Sequence, residues 1–168
     1  MRLLFLYFSG TGNTDYVAHY LAQRLDQGQV EVELRSIEWQ RPEEVTGFDL
    51  LVFGFPVYAA DSPGFVQTYM EQLPSGANRG AFVFCTKGAY AASAVKLNLQ
   101  RLALRGYVPL CGGDVIMPGT DGLSMLSRDS WMARKALQKD YDQLKDANRL
   151  VEQMNGVLSE LVDGRPID

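Results

Sequence analysis

The sequence predicts an α/β sandwich built on a parallel sheet, and three observations predict it. Apolar runs such as "RLLFLYF", "FDLLVFGFP" and "GAFVFCTKG" do not alternate with polar residues, so they read as strands buried on both faces. A helical pattern follows each of them. Clusters of Gly, Pro, Ser and Asn punctuate the joins. Strand and helix therefore alternate along the chain, and right-handed crossovers then place helices on both faces of the sheet.

Taken in order, Leu3 to Phe8 form the first strand, and the first helix is expected from Asn13 to about Asp26, with Val17, Ala18, Leu21 and Leu25 on one side. "QVEVELRSI" sets Val30, Val32 and Leu34 against Glu31, Glu33 and Arg35, the alternation of a half-buried strand at a sheet edge. "FDLLVFGFP" is the third strand, ended by Pro56, and a second helix starts near Pro63 and stops at "LPSG". "GAFVFCTKG" is the fourth strand, "AYAASAVKLNLQRLALRG" the third helix with Gly106 as its stop. "YVPLCGGDVIMPG" is the fifth strand, bulged or bent at Gly112-Gly113. From about Asp129 to Val162, apolar residues recur in steps of three and four: Ala133, Leu137, Tyr141, Leu144, Ala147, Val151, Met154, Leu158 and Leu161. That pattern is longer than one sheet-covering helix needs; it predicts a break near Asp146 to Arg149 or a projecting, partner-docking element.

The chain of 168 residues fits one domain, 1–168, with a sizeable core. A formal charge of −4 argues against nucleic acid as the main partner. The two cysteines, Cys85 and Cys111, form no C-x-x-C pair, so zinc and iron–sulfur centres lack a ligand set, and lone thiols suit a reducing cytoplasm. The sole histidine, His19, argues against most hydrolase triads and reads as a surface residue. The start "MRLLFLYF" has no small-residue cleavage site after it, and no apolar segment has the length of a membrane span. A cytoplasmic protein without membrane attachment is expected.

The informative stretch is "YFSGTGNT". In an open parallel sheet, ligands sit beyond the carboxyl ends of the strands, and the first helix offers unpaired N–H groups there. Gly10 and Gly12 allow those groups to turn inward. Ser9, Thr11 and Thr14 add hydroxyls and Asn13 an amide, which makes an anion cup of neutral donors. Without a lysine, the pattern is not the G-x-x-x-x-G-K-[ST] loop of nucleoside triphosphatases, and Asp15 stands where a dinucleotide fingerprint needs its third glycine. A single terminal monophosphate is the matched ligand. The helix dipole supplies roughly 0.3–1 kcal/mol, about 2 if partly buried, and charge-assisted hydrogen bonds the rest.

The strand–"SGTGNT"–helix start resembles the phosphate loop of flavodoxins. Together with "FPVYAADSPGFV" and "TKGAY" it looks most like the flavodoxin-type half of ferredoxin–flavodoxin fusions, whose cysteine-rich module is not evident in this chain. The resemblance implies a flavodoxin-like three-layer sandwich with strand order 2-1-3-4-5, and one FMN bound without a covalent link. It implies electron transfer between redox partner proteins, a reductase or an iron–sulfur protein, with no catalytic side chain and no metal. It also implies that Pro56, Val57, Tyr58 and Ala59 of one loop and Thr86, Lys87, Gly88 and Tyr90 of another flank the flavin, with Tyr58 and Tyr90 against the ring. Backbone N–H groups from Lys87 to Ala89 donate, and Asp121 in "MPGTDG" approaches the ribityl chain or serves as a turn residue. Stacking adds about 0.5–1.5 kcal/mol per aromatic pair.

Two departures follow. Many flavodoxins have glycine in the strand-three loop, whereas "VYAAD" offers Ala59 and Ala60, for which positive φ costs about 1–2 kcal/mol. At 59 mV per ~1.4 kcal/mol for one electron, weaker stabilisation of the neutral one-electron-reduced flavin is expected. Lys87 near the ring would favour anionic reduced flavin, or is a solvated surface lysine. The rival readings are an FMN-dependent NAD(P)H or quinone reductase and a non-redox module for a phosphorylated ligand or partner. Cys85, Cys111, Trp39 and Trp131 read as packing residues, and oligomeric state is left open.

Overall fold

The computed structural model of the chain describes residues 1–25, 28, 30–88, 91, 93–118 and 144–164. Its elements are β1 (Arg2–Tyr7), α1 (Asn13–Arg24), β2 (Glu31–Ser36), a 3₁₀ turn (Pro42–Glu44), β3 (Leu50–Pro56), α2 (Gly64–Gln72), β4 (Gly80–Lys87), α3 (Ala94–Leu104), β5 (Val108–Ile116) and α4 (Lys145–Val162). All strand pairs are parallel, in the order β2-β1-β3-β4-β5. This is the three-layer sandwich that the alternation predicts.

Period-two geometry divides β1 between two cores. Leu3, Phe5 and Tyr7 face α1 and α4, where they meet Val17, Leu21, Leu150, Met154 and Leu158. Leu4 and Leu6 face α2 and α3, where they meet Val66, Met70, Ala94 and Leu102. Both faces of the strand are therefore dry, which explains the unbroken apolar run. β2 keeps its alternation: Glu31 and Glu33 are exposed while Val30 is buried. In β5, Pro109 stands opposite Ala81 but Gly112 opposite Val83, so one extra residue is accommodated just before the glycine pair.

Several boundaries differ from expectation. α1 closes at Arg24, because Leu25 is extended at φ −70°, ψ 147° and buries its side chain instead of continuing the helix. α3 opens only at Ala94, after Ser93, so the small residues of "AYAAS" precede it. α4 is continuous over Asp146 to Arg149, with no break there, and it docks through Ala147, Leu150, Val151, Met154 and Leu158. The earlier part of that apolar pattern, with Ala133, Leu137 and Tyr141, and Trp131 beside it, lies outside the described residues.

Candidate functional site

The carboxyl ends of β1, β3, β4 and β5 converge on one cleft. It is lined by Ser9, Gly10, Thr11, Asn13, Thr14, Pro56, Val57, Tyr58, Thr86, Lys87, Gly88, Met117 and Pro118. Backbone bonds fix the ends beside it: Val57 N–H donates to the Thr86 carbonyl at 2.9 Å, and Met117 N–H to the Lys87 carbonyl at 2.9 Å.

The first loop turns into α1 through Gly12, which caps the helix at φ 92° with open space where a Cβ would stand. A left-handed N-cap is a conformation that other residues resist. Gly10 serves a different end. A Cβ there would lie 3.2 Å from the Tyr58 hydroxyl and 3.5 Å from the Phe8 ring, so the missing side chain lets Tyr58 approach the loop. Ser9 Oγ accepts the Asp15 N–H at 3.0 Å, which satisfies one first-turn amide of α1 and leaves the Ser9 proton to be donated elsewhere.

Three residues expected to hold the ligand also tie loops together. Asn13 Nδ2 donates to the Pro118 carbonyl at 2.8 Å, joining the first loop to the end of β5. The hydroxyls of Thr14 and Thr86 are 2.8 Å apart and buried. Such a pair uses one of its two protons internally, so one remains to be given.

After β3 the chain makes a tight hairpin. Tyr58 and Asp61 exchange both backbone bonds, at 2.8 and 3.1 Å, and the two residues between them, Ala59 and Ala60, have φ of 48° and 72°. Positive φ at both central positions is the requirement of a type I′ turn, usually met by Asn-Gly; each alanine gives up about 1–2 kcal/mol to it. Tyr58 is held half-exposed at its base. Asp61 is bound by a two-pronged fork from Arg101, Nη1 to Oδ1 at 2.9 Å and Nη2 to Oδ2 at 2.7 Å. Its Oδ1 also accepts from Asn98 Nδ2 at 2.9 Å and from the Ser62 N–H at 2.7 Å. The guanidinium first, then these amides, hold the Asp61 carboxyl below the ordinary aspartate range.

Among the described residues lining the cleft, Lys87 is the one charged side chain. It is neither open to solvent nor free to address a ligand alone: it is largely buried and ion-paired with Asp114. Beside the first loop, the Tyr7 hydroxyl donates to Asp15 at 2.6 Å; burial, then that carboxylate, push the phenol up to about 12. His19 is on the surface, near Asp15 at 3.6 Å. Burial raises the Cys85 thiol to about 12 and Cys111 to about 11, which suits packed, unreactive cysteines. Trp39 stands out into solvent rather than packing, at 90% exposure. Among the described residues no group of three acidic, His or Cys side chains is placed to hold a metal, and no helix is long and apolar enough to cross a membrane.

Of the residues read from sequence, eleven thus line the one cleft. Gly12 shapes its rim by capping α1, and Ala59 lies in the hairpin turn. Ala89, Tyr90 and Asp121 lie outside the described residues. Met117, Pro118 and the partners Asp114, Asp61 and Arg101 were not singled out in the sequence. "MPG" marks the end of β5, but the pairings span tens of residues and leave no local pattern.

The donors present suit a terminal phosphate: a helix N-terminus, glycine geometry and hydroxyls, with the Tyr58 hydroxyl close beside Gly10 on the same cleft. Comparison with known proteins places the chain in a family and a fold. Residues 4–119 match the family model described as "Flavodoxin domain". No curated protein matches the chain by sequence. Among solved structures, a flavodoxin from the domain Archaea superposes with TM-score 0.65 at 15% identity, covering 95% of this chain and 99% of the other. Flavodoxin 2 from Bacillus cereus gives 0.65 at 20% identity, with 95% and 99% covered. A flavodiiron core from Synechocystis gives 0.64 at 18% identity, covering 96% of this chain but 36% of that one. At these identities the likeness is one of fold.

Proposed function

From the premise that this chain belongs to the flavodoxin family, we propose that it binds one FMN non-covalently in the cleft and carries electrons between redox partner proteins. When bound, FMN supplies the one- and two-electron chemistry of its ring. The chain's own residues bind and orient. The amides at the head of α1, turned by Gly12, hold the phosphate together with the Ser9 and Thr11 hydroxyls and the Asn13 amide. The spare proton of the Thr14–Thr86 pair is given toward the ligand from the floor of the cleft. Tyr58 covers the ring from its hairpin, and the backbone around Lys87 and Gly88 lies along the ring's edge. Tyr90 and Asp121 complete the expected contacts.

The observation that carries this reading is the pairing of an uncharged donor loop at the α1 N-terminus with Tyr58 on the same cleft, Gly10 leaving room for both. The loops' likeness to the flavin half of ferredoxin–flavodoxin fusions favours an iron–sulfur protein as one partner.

The visible spectrum of the purified protein, before and after adding FMN, tests the binding. A flavin spectrum perturbed by the protein is expected, and a colourless protein after incubation and desalting refutes it. Stopped-flow mixing of the loaded protein with NADPH tests the carrier role: slow or absent bleaching is expected, and rapid bleaching within the first turnover favours the reductase.

A further inference from the structure

The hairpin between Tyr58 and Asp61 should not be comfortable. Its two central residues are alanines, both in the left-handed region at φ 48° and 72°, where glycine or asparagine normally sits. Something outside the turn must hold it. Tyr58 and Asp61 share two backbone hydrogen bonds, so whatever fixes Asp61 fixes Tyr58. The Asp61 carboxylate is fixed on every side: by the Arg101 fork, by Asn98 Nδ2 and by its neighbour's Ser62 N–H.

The holding groups are themselves held. Asn98 is fully buried, donates to the Ala94 carbonyl at 2.7 Å and accepts the Ser62 hydroxyl at 2.8 Å. Arg101 reaches Gln67 Oε1 at 3.2 Å, and Gln67 Nε2 donates to the Ser62 carbonyl at 2.7 Å. The network therefore joins α2, α3 and the hairpin. Within the described residues it touches the cleft only through Tyr58.

We propose that Arg101, on α3 and outside the cleft, is a positioning residue for the flavin ring: by clamping Asp61 it keeps the strained Tyr58–Asp61 hairpin, and so Tyr58, in the ring-binding arrangement. This rests on the FMN reading above. A planar fork is needed, because only arginine meets both carboxylate oxygens at once. Without the clamp the alanine turn relaxes, the fraction of molecules with Tyr58 in place falls, and apparent affinity falls by the same factor.

The test is titration of FMN and of riboflavin by loss of flavin fluorescence, in wild type, R101Q, R101K, A59G/A60G and A59G/A60G/R101Q. R101Q is expected to weaken both ligands about tenfold, so that the FMN-to-riboflavin affinity ratio, which reports the phosphate loop, does not change. R101K falls between. Glycines remove the strain, so R101Q costs less in the A59G/A60G background; a network that only holds α3 in place gives the same loss in both backgrounds. If R101Q does not fold, D61N is read in the same way, with and without the glycines. Equal binding by wild type and R101Q, or an equal loss with and without the glycines, overturns the inference while leaving the FMN reading intact. A wild-type chain that binds neither flavin overturns that reading and the inference with it.

Discussion

Replacing Thr86 with valine strands a hydroxyl. The Thr14 and Thr86 oxygens lie 2.8 Å apart, and the two residues are 1% and 4% exposed. Removing one leaves the other nearly buried at the edge of the cleft without its protein partner. An unsatisfied buried hydroxyl costs about 1–3 kcal/mol, whereas replacing both partners with apolar groups of the same shape is nearly neutral. Thr86→Val and Thr14→Val are therefore each expected to lose about 1–3 kcal/mol, and the double variant less than either single. Urea unfolding without added flavin measures this, read from the midpoints at constant slope. The double variant also separates folding from binding, because it regains stability yet has no proton left to donate into the cleft, so FMN affinity stays low. Single losses below about 0.5 kcal/mol, or a double loss equal to the sum of the two, would refute the idea that the hydroxyls serve each other.

Three further outcomes are expected. Gly12→Ala meets no neighbour but must adopt φ near 92°, so thermal unfolding should show a loss of about 1–2 kcal/mol from backbone strain alone, with Gly12→Asn milder; equal stabilities would exclude the left-handed cap. The Tyr7 phenol is raised to about 12 in the folded protein against about 10 unfolded, so the unfolded chain ionises first. Its contribution is whole below pH 10 and is lost as pH rises through about 12, and Tyr7→Phe should flatten the fall of the urea midpoint across that window. In the FMN-loaded protein, Asp114→Asn releases the Lys87 charge and should raise the flavin midpoint potential. Lys87→Met leaves Asp114 unpaired and should lower it, and potentiometry showing both variants moving the same way would count against the pair's influence.

Much of this architecture could be read from local pattern. Unbroken apolar runs marked β1, β3 and β4 because both faces of those strands are dry, and alternation marked β2 because one of its faces is wet. Gly112-Gly113 marked the irregularity in β5. That "SGTGNT" lies along the cleft was legible because the loop joins a strand's carboxyl end directly to a helix. What stayed hidden is pairing at a distance. Asp61 and Arg101 are forty residues apart, and Asn13 and Pro118 more than a hundred. Lys87 looked like a free cation because Asp114 reaches it only across the β4–β5 pair. The alanine turn was legible only in part. Lack of glycine gave the cost of positive φ at Ala59 and Ala60, whereas the long-range hydrogen bonds to Asp61 beside them left no mark in the sequence.

The neutrality of the cleft has an electrical consequence for the whole molecule. A guest phosphate would be gripped by dipoles without being cancelled by them, so its charge adds to the formal −4 of the chain. Loaded protein should migrate faster toward the anode on a native gel than empty protein. Encounters with a basic partner face should quicken on loading and slow again with added salt, as counter-ions shorten the reach of the field.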